Sequence, residues 1–410
     1  MKDLKLKKLK KLKRNIPLEY IYTILFNLDL TRGLWMIYLA GKGMSLMQLG
    51  LLESIFHVTS FLMEIPTGVV ADLFGRRMSR LIGRLLSVIS LVLIFTGRGF
   101  EAYAFAFVIT AFSYNFESGA GEALVYDSLK QIDMSSFFIK MTGRKELIYQ
   151  LTSTVAFVIG GWLATISYRW VYMLSIVFGL LALAEGIFFT EPDLGRAEVT
   201  SVKDSMQGQI IGSFKAIKDR PRIAYLYFSI NILVAFITTL FFYLQNYFKG
   251  QGLLESEIGL ILAAASMGGA LAGVQAWRLE NRFGNRVLLR VLPIFISIGL
   301  WTIALTRLEA LAFIYLSALD GLIFVVTRDY INKLIPSGQR ATLLSVDSMI
   351  FSLNMIVLFP LVGKLGDVYS LKTAFLFMAL LSIIIAGGNF FMIARLERHE
   401  KALEKPLEKH

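Results

Sequence analysis

The residues best suited to chemistry in this sequence are ionisable side chains that interrupt long apolar runs. Glu53, His57, Ser60 and Glu64 follow one another at helical spacing, so they form one polar stripe along a helix. An ionisable group inside a membrane is costly unless it is paired or hydrated, which makes each one a candidate site. Histidine titrates near neutral pH, and a carboxylate in a low-dielectric site can do the same, so the stripe suits proton transfer. The alternative interpretation is a packed stripe that is satisfied by hydroxyl groups or by Arg32.

Two other apolar runs carry charges near their middle. Asp29 and Arg32 stand three residues apart, which predicts one helical face on which they either pair with each other or line a central cavity. In the run FESGAGEALVYD, Glu117 lies near mid-depth and Glu122 lies further inward. Together with Glu53, these acids predict a net acidic cavity in the first half of the chain. Such a cavity favours cationic or proton-exchanging substrates over anions.

The second half of the sequence offers fewer candidates for binding a substrate or a proton. Polar side chains are spaced widely there, and each interrupts an otherwise apolar run. The candidates are Asn231, Asp320 and Asn354.

Composition places the whole chain in a membrane. Hydrophobic residues make up 56% of the 410, the mean hydropathy is +0.62, and only 18% are charged, against about a quarter in soluble proteins. There is no cysteine and there are only three histidines, so a disulfide framework and a thiolate metal site are excluded. The sequence has no phosphate-binding P-loop, zinc-protease or serine-hydrolase motif. We therefore predict a protein that is not an enzyme and has neither cofactor nor metal.

Twelve apolar segments recur, each near the ~20 residues that a membrane-spanning helix requires. A polar stretch at 191–221 separates six segments from the next six, which predicts two bundles of six helices. The predicted domains are a basic cytoplasmic segment at 1–16, bundles at 17–190 and 222–395, the central loop at 191–221, and a tail at 396–410. The predicted segments are 17–40, 45–71, 78–97, 103–128, 146–168, 170–190, 222–248, 256–277, 287–306, 309–334, 341–366 and 370–394.

Basic residues predict the orientation of the chain. Of the 42 Lys and Arg residues, 33 flank the segments on the side that carries both termini and 7 flank them on the other side. This asymmetry predicts that both termini are cytoplasmic, in a bacterial plasma membrane, and it accounts for the net charge of +12 without nucleic-acid binding. The Lys- and Leu-rich stretch KDLKLKKLKKLKRN is interpreted as a cytoplasmic anchor, the alternative being an arm that lies on anionic lipid.

The two halves of the sequence resemble each other. DLFGRR, which begins at Asp72, has its counterpart in NRFGNR, which begins at Asn281. YDSLKQI, from Tyr126, and RDYINKL, from Arg328, likewise occupy corresponding places. A duplicated six-helix unit is typical of transporters that hold their substrate between the two halves.

The stretch GVVADLFGRR resembles the signature of the major facilitator superfamily, G-x-x-x-D-x-x-G-R followed by a second basic residue. Twelve segments, a long central loop and a degenerate second copy of the motif agree with that family over nearly the whole chain. The sequence departs from the pattern at Leu73, where the family usually has an arginine. The residues that fill the motif are Gly68, Asp72, Gly75, Arg76 and Arg77.

The motif also has a physical interpretation. Gly68 would allow close helix approach, and Asp72 would accept hydrogen bonds from a neighbouring helix N-terminus, where the helix dipole favours an anion. Arg76 is expected to pair with Asp127. The resemblance implies that this cluster latches the outward-open state. The alternative is simple anchoring by the basic residues of the loop, Arg76, Arg77, Arg80 and Arg84. Predicted gating residues in the second half are Arg328, Asp329 and Asp347.

The family resemblance implies a secondary transporter that works by alternating access. Drug exporters of the superfamily carry a glycine-rich pattern in the fifth helix, and AFVIGGW matches it at Gly160 and Gly161. The sequence therefore predicts proton-coupled, or alternatively sodium-coupled, efflux of amphipathic or cationic small molecules by a monomer. The alternatives are import or export of a specific metabolite, and lipid flipping.

Overall fold

Apolar runs long enough to cross a bilayer form α-helices throughout the part of the chain that the computed structural model describes, residues 2–193, 221–334 and 340–404. The prediction of an all-α membrane protein is therefore confirmed for the described residues. The first helices are α1 Lys2–Asn27, α2 Trp35–Gly41, α3 Leu46–Phe74, α4 Arg76–Thr96, α5 Gly99–Gln131, α6 Phe138–Ile166 and α7 Tyr168–Gly186. The remainder are α8 Pro221–Gly250, α9 Glu255–Phe283, α10 Asn285–Leu305, α11 Glu309–Leu334, α12 Arg340–Val368 and α13 Leu371–Glu404.

Ten helices in the described ranges are long and apolar enough to cross a membrane. The two predicted spans that fall short are the first and the fourth. The first is broken into α1 and α2, and the fourth, α5, carries the polar stretch YNFESGAGE, which lowers its mean hydropathy. Polar groups are costly in lipid, so the first and fourth predicted spans require neighbouring helices that pair with their polar side chains.

The prediction of one continuous helix over 17–40 is wrong, because the chain leaves helical geometry between Asn27 and Trp35. Asp29 causes the break: its Oδ1 accepts hydrogen bonds from the backbone N–H of Thr31 at 3.0 Å and from the Thr31 hydroxyl at 2.6 Å. Such local bonds compete with a helix. The Leu30 N–H, freed from the helix, donates to Ser175 Oγ at 3.0 Å.

Helix α1 runs without a break through most of the residues predicted as a separate segment at 1–16. Leu12 is fully buried, and Asn15 Nδ2 donates to Ser128 Oγ and to the Thr190 carbonyl, each at 2.8 Å. The helix start is thus part of the packed bundle, while Lys11 and Lys13 remain exposed. Most of the predicted central loop at 191–221 lies outside the described residues.

The chain divides into two compact units. The first comprises residues 1–210 with 248–263, and the second comprises 211–247 with 264–410. The first nine residues of α9 therefore group with the first unit rather than with the rest of their helix. The core of the first unit includes Tyr22, Leu124, Ala182 and Phe189, which pack together from α1, α5, α7 and the segment after α7.

Candidate functional site

The turn between α3 and α4 is built around Gly75, whose φ of +96° is a left-handed conformation that favours glycine. The first two backbone N–H groups of α4, those of Arg76 and Arg77, donate to the Glu191 carboxylate at 2.8 Å each. The helix dipole strengthens these bonds, because a carboxylate is favoured at a helix N-terminus.

Glu191 therefore performs the capping role that the sequence assigned to Asp72. Asp72 lies on the exposed face of the last turn of α3 and has no hydrogen bond or ion pair among the described residues. Gly68 is exposed too, and a Cβ there would meet no heavy atom within 4 Å. The close approach expected at Gly68 is thus not seen within the described residues.

Arg76 lies against the Asp127 carboxylate, the partner that the sequence indicated. Its Nη1 also donates to the Ala123 carbonyl at 2.8 Å, so the guanidinium ties the start of α4 to the end of α5. Arg77 points elsewhere, and its Nη2 donates to the Ile187 carbonyl at 2.5 Å. Both arginines are thus engaged with protein groups instead of serving only as anchors in the loop.

The second unit repeats this arrangement with an amide in place of the first arginine. Gly284 has a φ of +79°, and Asn285, at the position of Arg76, donates from Nδ2 to Asp329 Oδ2 at 2.7 Å. Lys333 adds ion pairs with Asp329 at 2.5 Å and with Glu280 at 2.6 Å. The two carboxylates raise the pKa of the exposed Lys333 above its usual range.

Arg328 does not join this cluster, although Arg328 and Asp329 were both predicted as gating residues of the second half. Its guanidinium carbon lies 4.5 Å from the centroid of the Phe324 ring, a cation–π contact one turn away on α11. Asp347 instead accepts a hydrogen bond from Asn231 Nδ2 at 2.6 Å, which joins α12 to α8. The second unit thus uses amides where the first uses an arginine.

A buried ion-pair network occupies the interior of the first unit. Arg80 Nη1 lies 2.6 Å from Glu19 Oε2, and Arg80 Nε lies 2.9 Å from Glu117 Oε1. The other Glu117 oxygen accepts a hydrogen bond from the Tyr22 hydroxyl at 2.8 Å. The side chains of Arg80 and Glu19 are 4% and 0% exposed, so these charges are held away from lipid and water.

Further charges surround this network. Lys145 on α6 lies 2.7 Å from Glu19 Oε1, and the Arg84 guanidinium carbon lies 4.0 Å from the centroid of the Phe26 ring. The carboxylate of Glu185 on α7 is buried without a hydrogen-bond partner among the described residues. Sequence reasoning missed Glu19, Lys145 and Glu185. The sequence signal that could have located this network is the i, i+4 spacing of Arg80 and Arg84, which puts both arginines on one face of α4.

This network argues against one alternative and corrects one prediction. Arg80 and Arg84 are buried among side chains instead of anchoring the loop at the membrane surface. Glu117 is already paired with Arg80, so the prediction of an acidic cavity was wrong to count it as an available acid. Glu122 is exposed, and its carboxylate has no partner in the part of the chain that is described.

The polar stripe of α3 faces α5. Glu53 is 8% exposed, and its Oε2 lies 4.0 Å from His57 Nε2. Two turns from Glu53, the Ser60 hydroxyl donates to Asn115 Oδ1 at 2.7 Å, and Asn115 Nδ2 returns a bond to the Ser60 carbonyl at 2.6 Å. The stripe therefore brings a carboxylate and an imidazole together within a membrane span.

The predicted face shared by Asp29 and Arg32 does not exist, because both residues lie in the break between α1 and α2. Asp29 is held by Thr31, as described above. Arg32 places its guanidinium carbon 5.6 Å from the centroid of the Tyr149 ring on α6. Non-helical backbone at membrane depth is tolerated where protein or a cavity surrounds it, and several transporters bind their substrates at such breaks.

Unsatisfied amide and hydroxyl groups mark the second unit. The hydrogen bonds from Asn231 to Asp347 and from Tyr243 to the Phe359 carbonyl share a sequence separation of 116, so α8 and α12 run parallel in register. At that separation Asn354 lies level with the middle of α8. The buried atoms on α8 and α12 that lack a hydrogen-bond partner among the described residues are Asn354 Nδ2, Thr239 Oγ1, Gln245 Oε1 and Asn246 Nδ2. Asp320 on α11 is half-buried.

The glycine pair of AFVIGGW allows two backbone contacts in the first unit. A Cβ at Gly160 would lie 2.5 Å from the Leu30 carbonyl oxygen in the break, and a Cβ at Gly161 would lie 2.5 Å from the Glu255 carbonyl oxygen. Beside this contact, Glu255 Oε1 lies 2.8 Å from Lys249 Nζ and accepts a hydrogen bond from the Tyr168 hydroxyl at 3.1 Å. The pair therefore packs α6 directly on the start of α9.

Comparisons with known proteins agree with this architecture. Residues 24–327 and 251–410 match the Major Facilitator Superfamily. The chain is 20% identical over 380 residues to the uncharacterized MFS-type transporter YxaM of Bacillus subtilis (strain 168), covering 88% of this chain and 93% of YxaM.

Solved structures share the fold at low sequence identity. A mutant of the nucleoside transporter NupG has a TM-score of 0.76 at 16% identity, with 94% of this chain and 99% of that chain covered. A D-xylose-proton symporter has a TM-score of 0.71 at 14% identity, with 92% and 96% covered. A bacterial homologue of the human lysosomal transporter Spinster has a TM-score of 0.69 at 16% identity, with 94% and 97% covered.

The family match spans nearly the whole chain. The structure contains the signature loop, a corresponding glycine turn in the second half, and membrane spans in both halves. The chain is a multi-pass membrane transporter that belongs to the major facilitator superfamily.

Proposed function

We propose that this protein is a proton-coupled transporter of a small, polar, hydrogen-bonding organic solute, working by alternating access. The observation that carries the proposal is the pair formed by Glu53 and His57, 4.0 Å apart within a membrane span and mostly buried. A carboxylate in a low-dielectric site binds a proton readily, and a neighbouring imidazole offers a second acceptor for it. The pair therefore supports a role as the proton carrier, with Asp320 as a further candidate in the second unit.

The substrate class is inferred from the polar groups that have no partner within the described part of the protein. Glu117 is neutralised by Arg80, which removes one argument for a cationic substrate. The unsatisfied groups of Asn354, Thr239 and Gln245 offer both donors and acceptors, as a solute with several hydroxyl or amide groups would require. The similar nucleoside transporter and D-xylose-proton symporter carry solutes of this chemical class, and these likenesses support the proposal without naming the substrate.

Replacing Glu53 by Gln is expected to abolish proton-driven transport, because the amide keeps the shape of the carboxylate but cannot carry a proton. The measurement uses purified protein in liposomes with an imposed pH gradient, a panel of nucleosides and pentoses, and a pH-sensitive dye inside. Glu101→Gln, an exposed acid in the first turn of α5, is the matched control and should behave as the wild type. Gradient-driven transport that survives in Glu53→Gln would refute the assignment of the proton carrier.

A second candidate function is efflux of amphipathic cations. It is favoured by Glu64 and Glu122, whose exposed carboxylates have no ion-pair partner among the described residues. The same liposomes decide between the two: movement of a lipophilic dye cation along with the gradient, and none of any neutral solute, would favour efflux of cations.

We also propose that the contact between Arg76 and Asp127 is a conformational latch, and that Asn285 with Asp329 is its weaker counterpart. An arginine paired with a carboxylate is bound more strongly than an amide hydrogen-bonded to one. Asp329 also keeps Lys333 as a partner when Asn285 is lost, whereas Asp127 has no other cation among the described contacts.

Arg76→Ala is accordingly expected to slow transport in liposomes far more than Asn285→Ala, with Asp127→Asn resembling Arg76→Ala. All three variants should be checked for retained folding by size-exclusion chromatography. Equal rates for Arg76→Ala and wild type would show that the ion pair does not control the switch between states.

A further inference from the structure

The carboxylate of Glu185 has no partner in the ion-pair network that lies around it. Glu185 is the residue before the last one of α7, and both of its carboxylate oxygens are buried without a hydrogen-bond partner in the described part of the chain. An ionised carboxylate that is buried without a donor is very costly, and burying the neutral acid costs much less. The surroundings therefore favour a proton on Glu185.

Contacts between α4 and α7 fix the level of Glu185 in the first unit. A Cβ at Gly179 would lie 2.8 Å from the Val88 side chain, and a Cβ at Gly186 would lie 3.0 Å from the Leu81 side chain. The same number of residues separates the two contacts on each helix, and the order is reversed, so α4 and α7 run antiparallel. Glu185 therefore lies between the levels of the two buried arginines of α4.

The nearest cation is already engaged by other acids. Arg80 and Glu19 are the charged side chains that interact electrostatically with Glu185. Arg80 Nη1, however, lies 2.6 Å from Glu19, and Arg80 Nε lies 2.9 Å from Glu117. Together with Lys145, which lies 2.7 Å from Glu19, these groups balance two positive charges against two negative ones. A negative charge on Glu185 would be in excess of this balance.

The other ionisable groups near this part of α7 also have contacts elsewhere. The Arg84 guanidinium lies against the Phe26 ring, and the Tyr22 hydroxyl donates to Glu117. The charged and titratable side chains on the helices around this position are Glu19 and Tyr22 of α1, Arg77, Arg80 and Arg84 of α4, Glu117 of α5, and Lys145 of α6.

We propose that Glu185 is a proton-binding residue of the first unit, separate from the pair on α3, and that it exchanges its proton against the charge of Arg80. Glu185 is the neutral acid while Arg80 is paired as it is in this structure. When the Arg80 guanidinium turns from Glu19 to Glu185, the O–H bond breaks, the electron pair stays on the carboxylate, and the proton passes to water. Glu19 can give up Arg80 because Lys145 remains with it.

This exchange connects proton release with the latch at the start of α4. Arg80 joins α4 to α1 and α5, and Arg76, one turn earlier on the same helix, lies against Asp127 of α5. Withdrawal of Arg80 from Glu19 removes the ion pair between α4 and α1 at the end of α4 that the latch holds. The inference rests on the proton coupling proposed above, but its test detects Glu185 itself.

The test is infrared difference spectroscopy of the purified protein in lipid, titrated from acid to alkaline pH, because the carbonyl stretch of a carboxylic acid disappears when the acid ionises. The wild type is expected to show a band that Glu185→Gln lacks. Glu101→Gln, an exposed acid in the first turn of α5, should keep that band. If Glu185→Gln retains every carboxylic acid band of the wild type, Glu185 carries no proton and the proposal is wrong.

Glu53→Gln separates this proposal from the proposed function. It should remove a different band, so a wrong assignment of Glu53 leaves the result for Glu185 intact.

The role of Arg80 is tested through Lys145, whose removal leaves Glu19 with Arg80 alone. In Lys145→Gln, Arg80 is held more firmly by Glu19, so the band of Glu185 should persist to a pH about one unit higher, roughly tenfold in proton affinity. Arg144→Gln removes the same charge from the exposed neighbouring position, where water screens it, and should leave the titration unchanged. An unshifted band in Lys145→Gln would overturn the exchange of Arg80 between the two acids.

Discussion

Replacing Arg80 by Gln is expected to lower the free energy of unfolding by about 3–5 kcal/mol, the usual effect of removing one partner from a buried ion pair. Arg80 is the common partner of Glu19 and Glu117, whose side chains are 0% and 12% exposed. Without its guanidinium, Glu117 would keep no ion-pair partner among the described residues, and Glu19 would keep Lys145 alone. The variant is measured by thermal unfolding and by chemical denaturation in a mild detergent.

The matched double variant tests whether charge balance is the cause. In Arg80→Gln with Glu117→Gln, Glu19 keeps Lys145 at 2.7 Å, so the remaining network is again neutral. The double variant should therefore be more stable than Arg80→Gln alone, a coupling that a double-mutant cycle measures directly. Arg98→Gln, at an exposed position before α5, controls for the loss of an arginine. If the double variant is as unstable as the sum of the single variants, the network is not acting as a charge-balanced unit.

Replacing Gly161 by Ala is expected to disrupt transport severely, because the added Cβ would lie 2.5 Å from the Glu255 carbonyl oxygen. Backbone cannot move aside as a flexible side chain can, so α6 and the start of α9 must separate. The same contact includes Gly259, whose Cβ would meet the Phe157 carbonyl, and the Cα atom of Ser256, 3.2 Å from the Cβ position of Gly161. We propose that this packing is made and broken during alternating access, so a variant that prevents it holds the transporter in one state.

Gly143→Ala provides a control in the same helix. A Cβ at Gly143 would meet nothing within 4 Å, so this variant should transport normally. Because the chain has no cysteine, spin labels can be attached at Arg169→Cys and Gln251→Cys, two exposed positions near the contact, without background labelling. The distance between the labels should increase in Gly161→Ala and remain unchanged in Gly143→Ala. An unchanged distance together with normal transport in Gly161→Ala would refute a gating role for this packing.

The family and the architecture could be predicted from sequence because their signals are local. A bilayer requires about 20 apolar residues per helix, so ten of the twelve predicted spans could be recognised from composition alone. The loop GVVADLFGRR and its copy NRFGNR are short patterns of turn and charge, and both turns contain a glycine with positive φ. The pair formed by Arg76 and Asp127 was also predictable, since Arg76 begins one helix and Asp127 lies in the last two turns of another, at the same end of the bundle.

The partners of the buried charges depend on tertiary structure. Glu19 and Arg80 are separated by 61 residues, and Glu191 reaches the start of α4 from 115 residues away. Periodicity shows which face of a helix is polar, but not which neighbouring helix that face meets. Glu117 therefore looked like an available acid, although Arg80 neutralises it, and Asp72 looked like the helix cap that is in fact Glu191.

The break in the first span also has one cause that is visible in the sequence and another that depends on tertiary structure. Asp29, Thr31 and Gly33 in NLDLTRG are turn-forming residues, yet they lie within an apolar run that predicts a continuous helix. Ser175 on α7 receives the Leu30 N–H, and Gly160 on α6 leaves room for the Leu30 carbonyl. By itself, then, the sequence determined the family and ten of the twelve predicted spans, because the bilayer imposes these features locally. Only the tertiary structure decided which charges meet and where a helix opens, because buried polar groups are stable only where a distant segment supplies their partners.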